Sequence, residues 1–180
     1  NREDERKVAA GEEAKTFTVR FMDGSRKKVD AFASDTIGEL IQRVCTKVGI
    51  RQNDFLHLAH SVNENSVLGA VDRFLDRHKT IEQEGINPKC NLVFKFKHYK
   101  RHTRFADPGL QEGFFKQIHY NVVKEYYPVS EKLAVELAGL ELQSMYGDAS
   151  GKKRHSYFDK VGLDSYLPAT VSAHDYEYWQ

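Results

Sequence analysis

Residues 16–49 read TFTVRFMDGSRKKVDAFASDTIGELIQRVCTKVG, and three local signals in this stretch decide the fold. Phe17, Val19 and Phe21 alternate with Thr18, Arg20 and Met22, the period of a half-buried strand. Asp23-Gly24-Ser25 is turn chemistry, and residues 26–32 resume an extended run, so the pair predicts a hairpin. Thr36 and Glu39 then have the spacing of a capping box, which satisfies free N–H groups at a helix start. Behind it Ile37, Leu40, Ile41, Val44, Cys45 and Val48 share one face of a three-turn helix, and Gly49 is placed to stop it.

On the C-terminal side, residues 55–60 alternate again. Residues 67–75 have helix-like spacing at Val67, Val71, Phe74 and Leu75, and residues 79–81 lead to Gly85. Residues 90–96 predict a returning strand with Leu92, Phe94 and Phe96 on one side. Hairpin, helix, short strand and returning strand make the β-grasp, or ubiquitin-like, order. On the N-terminal side, residues 1–15 alternate acids with bases and hold one large apolar group, Val8, so they read as a charged arm with nothing to bury.

After Lys97 the strand signal stops. KHYKRHTRF is a basic connector, and Asp107-Pro108 opens a purely helical region. Leu110, Phe114, Ile118 and Val122 mark one helix, with Phe115 and Val123 widening its stripe, and Tyr127-Pro128 ends it. Ser130 is a candidate N-cap for a second helix carrying Leu133, Ala134, Leu137, Ala138 and Leu140 and closed by Gly147. A polar, basic loop over residues 148–155 follows, then a short helical piece over 157–166 and the start of another at 171–179. The expected class is α+β: an arm at residues 1–15, a ubiquitin-like lobe at 16–98, and an all-α lobe at 99–180.

The chain has 180 residues, 40% apolar and 29% charged, a globular balance with only 4 Pro and 12 Gly. Two cysteines are too few for a disulfide framework and suit a reducing cytosol. No uncharged stretch approaches the ~20 apolar residues of a membrane span, and the N-terminus has no apolar signal core. Catalytic chemistry is not supported. Phosphate-loop, Gly-x-Ser-x-Gly and His-Glu-x-x-His motifs are missing. His98 and His102 stand four apart, but among cations that would repel a metal ion. Cys45 falls on the apolar helix face, where packing is its natural role. Tyr126-Tyr127 and Tyr176/Tyr178 could stack bases, yet they sit in helical segments where packing explains them better. No cofactor or metal is expected, and no residue is nominated for catalysis.

Charge says more. Lys and Arg number 27 against 26 Asp and Glu, a net charge of +1 that argues against a nucleic-acid partner. That balance hides segregation: residues 90–104 carry +5, residues 105–150 carry −4. Three basic groups stand out: Arg26-Lys27-Lys28 in the hairpin, Lys100, Arg101 and Arg104 in the connector, and Lys152-Lys153-Arg154 in the late loop. Two readings stand side by side, solvated loops with an interlobe contact to the acidic helices, or patches that attract anionic lipid.

The stretches TFTVRFMDGSRKKV, DTIGELIQRVCTKVGI and FLDRHKTIEQEGI resemble the first lobe of a FERM domain. DPGLQEGFFKQIHYNVVKEYYPVSEKLAVELAGLELQSMYGD, with YLP downstream, resembles the second, and residues 128–148 are its most specific part. Within the family, FLDRHKTIEQEGI and the basic run before Asp107-Pro108 look talin-like; the talin-like FERM regions of some unconventional myosin tails are a second match. The resemblance implies an acyl-CoA-binding-protein-like fold for the helical lobe, a likeness of fold that implies no ligand. It also implies a non-enzymatic adaptor of the cytoplasm and cell cortex. Such an adaptor docks on anionic lipids, phosphoinositides among them, at the inner face of the plasma membrane and couples it to the actin cytoskeleton. Receptor-tail or cytoskeletal partners would need the third lobe, which this stretch lacks, and residues 62–68 leave little room for the insertion of talin first lobes. The lipid-facing positions carried over are Lys152, Lys153 and Arg154 in the loop; the helix position falls on Leu133, with Lys132 beside it. The alternative is a protein-interaction adaptor, a ubiquitin-like scaffold or a myosin cargo-binding tail, that never touches lipid.

Overall fold

The alternating run becomes β1 (Lys15–Phe21), paired antiparallel with β2 (Arg26–Ala31) so that Phe17 faces Val29, Val19 faces Lys27 and Arg20 faces Arg26. The turn between them is closed by the Ser25 N–H donating to Asp23 Oδ1 at 2.9 Å, with Gly24 at φ 80°, a left-handed value that favours glycine. These features belong to a computed structural model that describes residues 2–21, 23–51, 53–61, 73–98, 105–148 and 162–173.

The capping box forms as the spacing predicts. Thr36 accepts from the Glu39 N–H at 3.1 Å, and the Thr36 N–H donates back to the Glu39 carboxylate at 2.6 Å, opening α2 (Ile37–Val48). Gly49 ends it at φ 76°. Ile37, Leu40, Ile41, Val44 and Cys45 are wholly buried against β1, β2, β3 (Leu56–His60) and β5 (Leu92–Phe96). The sheet order is β2-β1-β5-β3-β4, with β5 parallel to β1 and antiparallel to β3, the β-grasp arrangement.

One expectation is corrected here. Phe74 and Leu75 are not helical: β4 (Arg73–Phe74) pairs antiparallel with β3, and the Leu75 N–H donates to the Leu58 carbonyl at 2.9 Å. Hydrogen-bonding demand at the edge of β3 overrides the helix-like spacing. Val67 and Val71 lie outside the described residues.

The N-terminal segment forms a helix, α1 (Arg2–Ala9), with no buried residue. Its Lys7 Nζ nevertheless reaches the wholly buried Asp35 carboxylate at 2.5 Å. Asp35 also accepts from the Phe32 N–H at 2.9 Å and lies 3.3 Å from Arg43, which in turn holds Asp4 at 2.5 Å. Sequence reading had no signal for this ionic cluster, because its members are scattered over 40 positions, from Asp4 to Arg43.

The chain divides into two compact units, Asn1–Gln117 and Ile118–Gln180. Helix α3 (Pro108–Val123) runs through the division. In the first unit Leu110 is wholly buried in the sheet's core, and Phe55, Phe96, Phe105 and Phe114 form a ring cluster with centroids 5.2–5.6 Å apart. In the second, α4 (Glu131–Tyr146) is capped by Ser130, whose hydroxyl accepts from the Leu133 N–H at 3.3 Å. Ala134 and Ala138 pack with Leu167 and with Val171 of the short helix α5 (Ala169–Ser172).

The helical stripes differ from expectation. Phe115, Leu133, Leu137 and Leu140 are 40–58% exposed, while Gln117, Asn121 and Leu142 are buried. On α4 the alanines let the chain approach closely and turn the leucines outward. Tyr126 and Tyr127 lie in the turn after α3 rather than in a helix, because that helix ends at Val123 and Glu125 takes φ 59°. Leu163–Ser165 is a single 3-10 turn where a third helical piece is expected, and the remainder of that piece, like Tyr176 and Tyr178, lies outside the described residues.

Candidate functional site

Of the ten basic residues the sequence nominates, Arg26, Lys27, Lys28 and Lys132 are described; Lys100, Arg101, Arg104, Lys152, Lys153 and Arg154 lie outside the described residues. Arg26, Lys27 and Lys28 occupy the outer edge strand of the sheet and are exposed. Consecutive strand residues point to opposite faces, so these three do not form one patch. Lys27 shares the side of Val29 and Ala31, which are buried under α2, whereas Arg26 and Lys28 point the other way. Lys47, in the last turn of α2, donates to the Lys28 carbonyl at 2.5 Å and ties the edge strand to the helix.

Lys27 borders a cleft of about 400 Å³ in the first unit, floored by Phe21, Phe94, Phe96 and Leu56 and rimmed by Asp23, Glu112 and Lys116. The three rim charges engage one another. Lys116 lies 2.9 Å from Glu112 and 3.1 Å from Asp23, and the Glu112 hydrogen bond leads in holding its pKa above the ordinary lysine value. Burial pulls the Asp23 carboxyl upward, but hydrogen bonds from Ser25 and Lys116 outweigh it and leave the pKa below normal. Deeper in, Gln117 accepts from the Phe96 N–H at 2.7 Å and donates to the Phe96 carbonyl at 3.0 Å, clamping the end of β5.

Lys132, on the exposed side of α4 in the second unit, is flanked by the half-exposed Leu133. In the same unit His119 Nδ1 meets Glu141 at 2.7 Å.

Neither described cysteine is activated. Burial pushes the Cys45 thiol up to about 11, so at neutral pH it is a protonated core side chain. Cys90 accepts a hydrogen bond from the Asn87 N–H at 3.4 Å. Among the described residues no group of three His, Cys, Asp or Glu could hold a metal ion, and no helix is long and apolar enough to cross a membrane.

Comparison with known proteins also divides the chain in two, with its boundary between residues 87 and 100 rather than at Gln117. The family model for the FERM N-terminal domain matches residues 19–87, and that for the FERM central domain matches residues 100–180. FERM domain-containing protein C of Dictyostelium discoideum is 26% identical over 153 residues, covering 84% of this chain and 10% of that protein. Talin of Oscarella pearsei is 26% identical over 175 residues, covering 83% of this chain and 7% of its own length. The chain thus spans a tenth or less of these curated relatives. Among solved structures, the FERM and C-terminal domain complex of Drosophila Merlin superposes with a TM-score of 0.68 at 16% identity, covering 92% of this chain and 55% of that one.

Proposed function

Because the chain belongs to the FERM family, we propose that it is a non-enzymatic adaptor module that docks on the inner face of the plasma membrane and links it to the actin cytoskeleton at the cell cortex. The observation that carries this reading is the match of both halves of the chain to FERM models, with a talin among the relatives. The matched ranges support a ubiquitin-like lobe at 16–98 and a helical lobe at 99–180, preceded by the charged segment 1–15.

Anionic lipids, phosphoinositides included, are the proposed membrane partner. The docking cations are Arg26, Lys27 and Lys28, Lys100, Arg101 and Arg104, Lys132, and Lys152, Lys153 and Arg154. Three cations near an anionic leaflet contribute about 3 kcal/mol, so one cluster alone binds at the millimolar level and several must act together. Vesicle co-sedimentation tests this. Binding should require anionic lipid and fade as the Debye length shrinks from ~10 Å at 0.1 M to ~3 Å at 1 M salt. The Lys152→Glu, Lys153→Glu, Arg154→Glu triple variant should lose it. Equal binding to neutral vesicles would overturn the lipid assignment.

The Merlin structure favours a second reading. There a FERM domain is seen in complex with a C-terminal domain, so a protein surface is also a natural occupant of this fold. On that reading the chain binds a protein partner and ignores vesicles of every composition.

A further inference from the structure

We propose that α1 is a tethered stand-in for a partner, and that the site it covers, formed by Phe32, Asp35 and Arg43, binds a helix of another protein that carries an acid and, three residues later, a lysine. None of the cations assigned to lipid takes part, so the inference does not depend on the membrane role.

The site is built without α1. The Asp35 N–H donates to the Phe32 carbonyl at 3.0 Å, closing a turn before α2. The Ile81 and Glu82 N–H groups donate to the carbonyls of Asp35 and Ala33 at 2.9 and 3.1 Å, and the Ile37 N–H donates to the Lys79 carbonyl at 2.9 Å. With the Thr36/Glu39 capping box, these bonds fix Asp35 from the lobe side alone. Its carboxylate is wholly buried, and Oδ2 is taken by the Phe32 N–H and by Arg43. Oδ1 meets only Lys7 among the described residues. One oxygen satisfied from within and the other turned to an incoming ammonium make a lysine seat. The Phe32 ring centre lies 5.9 Å from Lys7 Nζ, and Glu39 adds its attraction. Beside the seat, Arg43 grips both oxygens of Asp4, Nη2 to Oδ1 at 2.5 Å and Nη1 to Oδ2 at 3.3 Å.

The occupant, by contrast, is built to leave. Helix α1 has eight residues and buries none of them; Val8, its one large apolar side chain, is 61% exposed. Helices this short are marginal in water, so α1 off the site loses its helix. Past α1, the Ser34 hydroxyl donates to the Glu12 carboxylate at 2.7 Å, an exposed contact. A joint held by charge without buried apolar area weakens with salt and yields to a segment that repeats its charges and adds contacts. Asp4 and Lys7 are three apart and share one helix face, so the competitor repeats that spacing. The Asp35 and Glu39 carboxylates repel phosphate, which selects a protein helix over lipid or nucleic acid.

The test titrates a synthetic peptide of residues 1–15 into the isotope-labelled intact chain and follows its amide NMR shifts. At an effective concentration of ~1 mM, a strap shut about 30 times as often as open corresponds to a peptide dissociation constant of about 30 µM at the vacant site and about 1 mM against wild type. The Asp4→Ala, Lys7→Ala chain should therefore bind the peptide about 30-fold more tightly than wild type, with shifts centred on Phe32, Asp35 and Arg43. Binding should fade between ~0.1 M and ~1 M salt. A Lys7→Glu peptide and a scrambled peptide of the same composition should each bind at least about tenfold more weakly. In the strap-broken chain, Arg43→Glu should reverse the preference between the native peptide and its Asp4→Arg form. Equal affinity of wild-type and strap-broken chains would overturn the stand-in role of α1. Equal binding of the scrambled peptide, or no binding to the strap-broken chain at millimolar peptide, would overturn the site.

Discussion

Lys7→Met would leave the Asp35 carboxylate, which has no exposed surface, with the Phe32 N–H at 2.9 Å and Arg43 at 3.3 Å as its remaining partners. Stranding a buried charge by removing its partner costs about 3–5 kcal/mol. Two partners persist here and the Lys7 side chain is 15% exposed, so about 2 kcal/mol is the expected loss. For a chain of this size that lowers the melting temperature by about 4–8 °C. The hydrogen bond to Asp35 leads in raising the Lys7 pKa. A raised folded pKa means the ionic stabilisation is complete below the unfolded value of ~10.4 and is lost as pH rises through the folded one. A melt at pH 7 therefore reads it in full. The assay is circular-dichroism melting of wild type, Lys7→Met, Asp35→Asn and the double variant. The cycle should give a coupling of about 1–2 kcal/mol. A Lys7→Met protein that melts with wild type, or a coupling of zero, would refute the view that this contact, alongside Asp4–Arg43, holds α1 to the first unit.

Leu40→Asp should unfold the ubiquitin-like lobe, since it places an unpaired charge at a wholly buried site, whereas Glu39→Ala should lose only about 1 kcal/mol through the capping box; urea titration separates the two. Gln117→Leu should lose about 2–4 kcal/mol by stranding the Phe96 N–H and carbonyl, and an unchanged urea midpoint would disprove the clamp. Burial holds the His57 pKa below the ordinary value, with Lys97, Arg77 and His98 adding repulsion. Stability should therefore fall as pH drops through ~6.5, where the unfolded chain takes up the proton first, and His57→Phe should flatten that limb in melts between pH 5 and 8.

The parts of the fold that were legible in the sequence are those whose cause is local. The β1–β2 hairpin, the Thr36/Glu39 box and the Gly49 stop each depend on residues within a few positions of one another, and each forms as read. The failures share the opposite property. Phe74 is strand because β3 needs an edge partner, and Leu137 is exposed because Ala134 and Ala138 take the inner side of α4. The Asp35 cluster joins Asp4, Lys7 and Arg43 across a distance that no spacing rule covers. Asp35 stands next to the Thr36 cap, yet an acid there is ordinary helix-start chemistry and says nothing of burial.

The same distinction governs the candidate site. Arg26, Lys27 and Lys28 are a cluster in the sequence but are split by the strand's alternation, with Lys27 beside an apolar cleft and its neighbours on the opposite face. Arg20 and Lys97 are remote in the sequence and lie on that opposite face because β5 returns parallel to β1. A charge count along the chain cannot see this, since the side-chain period of a strand is two and the register that assembles the face is set by a crossover of some 70 residues between Phe21 and Leu92. A net charge of +1 is therefore compatible with local basic patches. Some of the acids hold the fold together instead, in the Asp35 cluster and the Asp23–Lys116–Glu112 group.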